Sequence, residues 1–263
     1  MLLTKKVIYT VHDFENHSGE RAKNFIARKY NPFIISSKSP VVIQNRTDYQ
    51  YITENYPKHK STVKFIPFGN LDIYNSYQNE MATLKGSDVL FFGRISLYKG
   101  IEYFTEAMKM LNKDYPQITY TIAGNGKFYF DDTDLKNDPN CRIYNRFIKN
   151  SELCELFKSC KIVVCPYIDA TQSGVAMTAF TFNKPVIATN TGGFKDVIHD
   201  GINGYLVPIK DSNAIYTKLK LMFDQPEIFQ QMGLNIAKQG KEGEFAWKDI
   251  SLSYLHIYKS LIK

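Results

Sequence analysis

Two cations stand five residues apart where an apolar segment meets an apparent helix. The segment FFGRISLYKG (residues 91–100) contains Gly93, Arg94 and Lys99. A guanidinium can donate two parallel hydrogen bonds to phosphate oxygens, and an ammonium adds a point charge. Glycine has no side chain and lets the backbone pass close to a ligand. These residue types predict an anion site. Because two cations alone are more often ordinary surface charges, the prediction depends on the other loops.

Three further loops with glycines follow apolar segments later in the chain. Their candidate residues are, in chain order, Gly124, Asn125, Ser173, Gly174, Gly192, Gly193 and Asp196. Free N–H groups at the start of a helix, as at Ser173, bind anions. Each loop also has an ordinary structural interpretation, since serine is a common N-cap and aspartate is favoured in a first helical turn. Four such loops in succession favour a common phosphate site.

Strand-like and helix-like segments alternate through residues 88–208. Apolar segments predict strands at residues 88–93, 118–124, 142–147, 161–167, 184–190 and 204–208. Between the first two, a 3.6-residue apolar period over residues 100–112 predicts an amphipathic helix. Strands that are apolar on both faces and alternate with helices indicate a parallel sheet, whose ligands bind at the carboxyl ends of the strands. The candidate residues follow these predicted ends.

The first part of the chain shows the same alternation less regularly. We expect strands at residues 5–13, 32–37 and 63–69, with helices at residues 19–30 and 47–55. Residues 74–87 are polar and aperiodic, which predicts a linker. Residues 131–140 read as a polar loop, and Asn150 or Ser151 is expected to cap the helix that follows.

Composition indicates an ordinary globular protein. The 263 residues are 44% hydrophobic and 22% charged, with a net charge of +7. The basic excess is spread along the chain, which argues against nucleic acid as a partner. Four cysteines lack zinc-ligand spacing, so we expect reduced thiols and no metal. No apolar window approaches a membrane span and the start is too short for a signal peptide, which predicts a cytoplasmic protein.

The segment AGNGK is not a dinucleotide fingerprint. Tyr129 occupies the place of the third glycine in the pattern G-x-G-x-x-G. Together with the Arg94 and Lys99 pair, this disfavours a dehydrogenase.

The order of these motifs resembles a known family. The segments LFFGRISLYKGIEYFTEAMKML, YTIAGNGK, KIVVCPY, SGVAMTAFTFNKPVIATNTGGFKDVIHDGINGYLVP and FAWKDISLSYLHIYKSL resemble the retaining GT-B glycosyltransferases of the capsule, lipopolysaccharide and mannosyltransferase type (glycosyl transferases group 1). The resemblance implies two Rossmann-like α/β domains, a nucleotide-diphosphate-sugar donor, a glycan or lipid-linked acceptor, and no metal or other cofactor. It also implies surface polysaccharide synthesis, with possible peripheral contact at the inner face of the membrane.

The resemblance also assigns roles to individual residues. Arg94 and Lys99 would hold the donor diphosphate beside Gly93 and stabilise it as the leaving group, and His12 would reach toward the donor sugar. Toward the base the resemblance implies Gly124 and the stretch from Arg146 through Phe147 to Ile148, and toward the phosphates Ser173, Gly174 and Val175. Gly192, Gly193 and Asp196 would surround the sugar, and Asn125 and Asp169 are further implied binding residues.

Two departures from the family pattern stand out. Ala170 and Thr178 occupy the positions of the two glutamates that the family usually carries, although Asp169 is adjacent to the first. In addition, too few residues precede the linker for a full acceptor domain, which needs roughly 150. We therefore expect a partial N-terminal, acceptor-side domain (1–73), a linker (74–87), a complete C-terminal nucleotide-sugar-binding domain (88–245) and a final helix (246–263) that crosses back to the N-terminal domain. The alternative is a truncated, non-catalytic nucleotide-sugar-binding subunit that needs a partner chain.

Overall fold

The computed structural model describes residues 7–12, 14, 24–77, 84–170 and 174–262, with the backbone alone for residues 24–29. The chain divides into two compact units. The first combines residues 1–69 with residues 239–263, and the second spans residues 70–238. Each unit contains its own parallel sheet.

In its described part, the first unit has a three-stranded sheet. The strands β1 (Tyr9–Val11), β2 (Val41–Ile43) and β3 (Val63–Phe65) pair in that order, all parallel. Two helices, α1 (Asn24–Ile35) and α2 (Arg46–Asn55), lie between consecutive strands in the chain. All residues of β2 are buried because this strand lies in the middle of the sheet.

The last helix of the chain, α10 (Trp247–Ile262), packs within the first unit. Ile250 and Ile257 are two helical turns apart and therefore lie on one face. They form a buried cluster with Val42 of the central strand and with Ile66. Apolar burial on that face attaches α10 to the sheet.

The second unit contains a six-stranded parallel sheet. Its strands are β4 (Val89–Phe92), β5 (Tyr120–Ala123), β6 (Cys141–Tyr144), β7 (Ile162–Cys165), β8 (Val186–Thr189) and β9 (Gly204–Val207), in the order β6-β5-β4-β7-β8-β9. The strands β5, β7 and β8 are buried throughout. The strand order reverses at β4, and such a switch point opens a crevice at the carboxyl ends of the neighbouring strands.

In the described part of this unit, five α-helices lie between these strands along the chain, and two more follow β9. They are α3 (Ile101–Asp114), α4 (Thr133–Asn137), α5 (Asn150–Ser159), α6 (Gly174–Thr181), α7 (Phe194–Val197), α8 (Ser212–Asp224) and α9 (Pro226–Lys241). The predicted apolar face of α3 is buried and contains Ile101, Phe104, Met108 and Leu111. Among the described residues, no helix combines the length and apolarity that crossing a bilayer requires.

One predicted strand is wrong. Residues 32–35 form the last turn of α1, and the strand that follows begins only at Val41. Phe33 is 75% exposed whereas Ile35 is fully buried. A short apolar run of this kind does not distinguish a strand from one face of a helix, and here tertiary packing selected the helix.

Two smaller expectations also need correction. Part of the expected polar loop at residues 131–140 forms the short helix α4. The N-cap of α5 is Lys149 rather than Asn150 or Ser151. The backbone N–H of Lys149 donates to the carboxylate of Glu152 at 3.0 Å. The side chain that caps the helix therefore belongs to a residue of its first turn.

Candidate functional site

The loops that follow β4, β5 and β6 run side by side. The backbone N–H of Gly93 donates to the carbonyl of Ala123 at 2.9 Å. One strand further along the sheet, the N–H of Gly124 donates to the carbonyl of Tyr144 at 3.1 Å. The parallel pairing of the strands therefore continues into the loops and aligns them at one edge of the sheet.

Glycines allow these loops to approach closely. Gly124 has φ +144°, and a Cβ there would lie under 3.0 Å from the Gly93 carbonyl oxygen. Gly126 has φ +157°, and its Cβ would meet the Ile95 carbonyl in the same way. The Asn145 side chain holds Gly126, because its Oδ1 accepts from the Gly126 N–H at 3.1 Å and its Nδ2 donates to the Gly126 carbonyl at 3.0 Å. A side chain at either glycine would push the loops apart.

A cavity of about 400 Å³ opens where these loops meet. Its lining residues are Phe92, Gly93, Arg94, Ile95, Gly124, Asn125, Gly126, Arg146, Phe147 and Ile148. Seven of them are candidates from the sequence, whereas Phe92, Ile95 and Gly126 were not singled out as site residues. The volume lies in the range of small-ligand sites. The cavity offers backbone groups, the exposed ring of Phe147 and the guanidinium of Arg94 to a ligand.

The two arginines of the cavity differ in what they bind. Arg146 makes a bidentate ion pair with Glu152, with both N–O distances 2.7 Å. The hydrogen bonds from Arg146 hold the pKa of the Glu152 carboxyl down at about 2. Arg146 therefore forms part of the cavity wall, with both terminal nitrogens bound to Glu152. Arg94 is exposed, and no residue of the described ranges forms an ion pair with it.

Lys99 lies in the 3₁₀ turn that precedes α3. Its Nζ is 3.5 Å from the ring centroid of Tyr167. Burial lowers the pKa of the Lys99 ammonium to about 8, and the like charge of Arg94 acts in the same direction. Lys99 does not line the cavity, but a Cβ built on Gly93 would lie 4.0 Å from its Cε.

The loops that follow β7 and β8 also approach each other closely. Gly192 has φ +51°, and a Cβ there would lie under 3.0 Å from the Ala170 carbonyl oxygen. Asp169 and Asp196 are half-buried, and Gly193 is buried at the start of α7. The loop of Gly192 therefore packs against Ala170, the residue that follows Asp169.

The remaining candidates occupy separate positions. Gly174 is exposed at the first residue of α6, with no atom of the described residues within 4 Å of a Cβ built on it, and Val175 beside it is half-buried. Ser173 lies outside the described residues. His12 directly follows β1 in the first unit and is exposed. Its role remains a prediction.

The two positions that lack the usual glutamates are buried. Ala170 is 8% exposed and Thr178 is 4% exposed. The Thr178 hydroxyl donates to the carbonyl of Gly174 at 2.7 Å, within α6. Neither position supplies a carboxylate to a ligand.

Fold and site together define a class of protein. A parallel sheet with glycine loops, a small-ligand cavity and cations at its carboxyl edge is the arrangement of a Rossmann-like nucleotide-binding domain, and the fold is α/β and GT-B-like. The chain belongs to the glycosyl transferases group 1 family, whose model matches residues 77–239.

Individual relatives agree with this assignment. An uncharacterized glycosyltransferase of Methanocaldococcus jannaschii is 26% identical over 173 residues, which are 65% of this chain and 44% of that protein. An uncharacterized 41.2 kDa protein of the cps region of Klebsiella pneumoniae is 26% identical over 265 residues, or 97% of this chain and 71% of that protein. The chain thus spans less than half the length of the first relative and under three quarters of the second.

Solved structures share the fold. HepE of Anabaena, in complex with UDP-glucose, matches with a TM-score of 0.74 at 17% identity, over 97% of this chain and 72% of that one. At this identity the likeness concerns the fold.

Proposed function

We propose that this chain carries the donor site of a glycosyltransferase that moves a sugar from a nucleotide-diphosphate-sugar to a glycan or lipid-linked acceptor. The observation that carries the proposal is the cavity in which Arg94 lies between two glycine-bearing loops and the loop that follows β6. Family membership supports sugar transfer, and the UDP-glucose bound to HepE supports a nucleotide-sugar as donor.

In this proposal the donor diphosphate lies beside Gly93, with Arg94 and Lys99 as its cationic partners. Because Arg94 has no acidic partner in the described ranges, its N–H donors are available to phosphate oxygens. Negative charge grows on the diphosphate as the glycosidic bond breaks, and cations already in place stabilise that charge. The acceptor oxygen attacks the sugar from the face that the diphosphate leaves, and a phosphate oxygen takes the acceptor's proton. Transfer therefore proceeds with retention and without a protein nucleophile, metal or cofactor.

The base lies against the loops of Gly124, Asn125 and residues 147–148 in the proposed complex. The exposed face of Phe147 offers a surface on which a base can stack. The phosphates would also receive N–H groups from the start of α6, and the sugar would lie near Gly192, Gly193 and Asp196. His12 is the proposed contact from the first unit.

The wider setting belongs to the same proposal. The relative from a cps region supports a role in surface polysaccharide synthesis. The net charge of +7 is compatible with a cytoplasmic protein that contacts anionic lipid at the inner face of the membrane.

A second candidate function is a non-catalytic nucleotide-sugar-binding subunit that works with a partner chain. The observation that favours it is the absence of carboxylates at Ala170 and Thr178, where the buried Thr178 hydroxyl is used within its own helix. Such a subunit would bind the donor and transfer no sugar by itself.

Calorimetric titration with UDP, GDP, ADP and dTDP at millimolar concentration tests the shared part of both candidates. Arg94→Ala should weaken binding about 10- to 150-fold, which corresponds to the roughly 1.5–3 kcal/mol of a charge-assisted hydrogen bond. Arg46→Ala is the matched control, because Arg46 is also exposed but pairs with Glu244 in the first unit. Equal affinity in wild type and Arg94→Ala, or no binding of any nucleotide, would refute the donor site.

Transfer assays then separate the two functions. A glycosyltransferase releases nucleoside diphosphate faster when a glycan or lipid-linked acceptor is added. A binding subunit shows the same nucleotide affinity and no release.

A further inference from the structure

The ammonium of Lys99 rests on aromatic rings. Its Nζ lies 3.5 Å from the ring centroid of Tyr167 and 5.1 Å from that of Tyr98. Within the described ranges no carboxylate forms an ion pair with Lys99. The π face of Tyr167 is therefore the close contact that orients this cation, since a cation within about 6 Å of a ring centroid is attracted by the ring quadrupole.

The Tyr167 ring is itself firmly held. The residue is 1% exposed and is the second residue after the end of β7. Phe194 packs edge-on against the ring, with centroids 5.1 Å apart and an interplanar angle of 66°. The Thr189 hydroxyl donates to the carbonyl of Tyr167 at 2.5 Å. Side-chain packing and a backbone hydrogen bond thus fix the position of the ring.

The backbone segments that carry the two residues also contact each other. The N–H of Ile168 donates to the carbonyl of Tyr98 at 2.8 Å. Gly100 has φ +62°, and a Cβ there would lie under 3.0 Å from the Pro166 carbonyl oxygen. Contacts at both ends of the turn therefore hold the stem of Lys99 against the loop that carries Tyr167.

Both side chains border the space beside Gly93. A Cβ built on Gly93 would lie 3.8 Å from the Tyr167 hydroxyl oxygen and 4.0 Å from Cε of Lys99. Since Gly93 has no side chain, an anionic group that approaches its backbone meets Lys99 and Tyr167 at that point.

We propose that Tyr167 is a positioning residue that holds the Lys99 ammonium beside Gly93, where it faces an anionic group of the ligand. The inference rests on the proposed function of the same site. Lysine has a flexible four-carbon stem, and ordering it on binding costs conformational entropy. A ring that orders the stem beforehand removes part of that cost.

The ring also affects the charge of Lys99. Burial and the neighbouring Arg94 lower the Lys99 pKa to about 8, while the Cys165 thiol of β7 acts in the opposite direction. Among the described residues, Tyr98 and Tyr167 are the titratable groups whose rings face the ammonium. Because a π face favours the cation, removal of the Tyr167 ring should lower the pKa further.

Nuclear magnetic resonance of isotope-labelled lysine in the full chain, without ligand, gives the first test. The Lys99 signal is assigned by its loss in Lys99→Met. Tyr167→Leu should lower the Lys99 pKa by about one unit, the size expected for a lost cation–π contact at a desolvated site. Tyr167→Phe keeps the π face and should keep the pKa. Tyr167→Met gives the same comparison should Tyr167→Leu not fold.

Binding of pyrophosphate and UDP between about pH 6 and pH 9 gives the second test. Wild-type affinity should fall as pH rises through the Lys99 pKa, because only the ammonium attracts the anion. Tyr167→Leu should move the midpoint down and weaken binding about tenfold near pH 7.5. In a Lys99→Met background Tyr167→Leu should cost no further affinity, because the ring then has no cation to position.

Tyr120→Leu is the matched control. Tyr120 is another fully buried tyrosine, at the start of β5 and therefore at the opposite end of the strand from the cavity loops. Its loss should lower stability and leave the Lys99 titration unchanged. If Tyr167→Leu behaves like this control, the Tyr167 side chain contributes only to packing and the proposal is wrong. Absence of nucleotide and pyrophosphate binding in the wild type would instead refute the proposed function, and the ligand-free titration would still decide whether the ring positions Lys99.

Discussion

Replacing Gly124 by alanine should destabilise the second unit more than the same change at Gly201 or Gly174 does. Two costs arise at this position. The backbone has φ +144°, which L side chains rarely adopt, and the new Cβ would lie under 3.0 Å from the carbonyl oxygen of Gly93. The obstructing atom belongs to a backbone whose N–H is hydrogen-bonded to Ala123, so it cannot swing aside as a side chain would.

The free-energy cost of each effect can be estimated separately. A non-glycine residue in such a backbone region costs about 1–3 kcal/mol. Forcing an additional carbon into a packed contact costs about another 1–3 kcal/mol. The expected loss for Gly124→Ala is therefore about 4 kcal/mol. In a unit of this size, each kcal/mol lowers the melting temperature by roughly 2–4 °C, so Tm should fall by roughly 8–16 °C.

Two other glycines of the second unit serve as controls. Gly201 has φ +75° and no atom within 4 Å of a built Cβ, so Gly201→Ala tests backbone conformation without a clash and should cost about 1–2 kcal/mol. Gly174 has neither constraint, and Gly174→Ala should be neutral or stabilise by up to about 1 kcal/mol. Denaturant and thermal unfolding, followed by circular dichroism, measure all three.

The order of the three variants is the decisive result. A loss for Gly124→Ala that does not exceed the loss for Gly201→Ala would refute the close approach of the loops at Gly93 and Gly124. If the reasoning is correct, Gly124→Ala also weakens nucleotide binding, because the displaced loop carries Gly93 and Arg94.

Two further predictions concern the wall of the cavity and the start of α3. Arg146→Met should be less stable than wild type above the unfolded-state pKa of Glu152, which is about 4.3. The difference should disappear as pH falls toward the folded-state pKa of about 2, because Glu152 is then protonated and no longer forms the ion pair. A difference that persists unchanged at pH 2 would exclude this ion pair as its cause. Tyr129→Phe should cost about 1 kcal/mol in denaturant unfolding, because the Tyr129 hydroxyl accepts the Ile101 N–H at 3.0 Å at the start of α3; an unchanged unfolding midpoint would contradict this capping role.

Much of the second unit could be predicted from the sequence because its signals are local. Segments apolar on both faces, such as KIVVCPY, identify buried parallel strands, and the 3.6-residue period after Gly100 identifies α3. Chain order then places the loops after these strands at one edge, since parallel strands share a direction. That reasoning was sufficient to select seven residues that line one cavity.

Where the local signal is weak, the sequence was misleading. The run from Pro32 to Ile35 is apolar enough for a strand and short enough for one face of a helix. Its assignment depended on which side chains the rest of the unit could bury, and Phe33 remained outside while Ile35 did not.

The sequence by itself determined the parallel α/β class and the residue types at the carboxyl edge of the sheet. Tertiary structure alone decided which of those residues have partners. Arg94 and Arg146 look alike in the sequence, but within the described part of the chain only Arg146 meets a carboxylate, that of Glu152. Lys99 and Tyr167 are far apart in the chain and meet because two loops pack across the sheet edge. Such contacts depend on how helices and loops seat against the strands, and a one-dimensional pattern does not encode those distances.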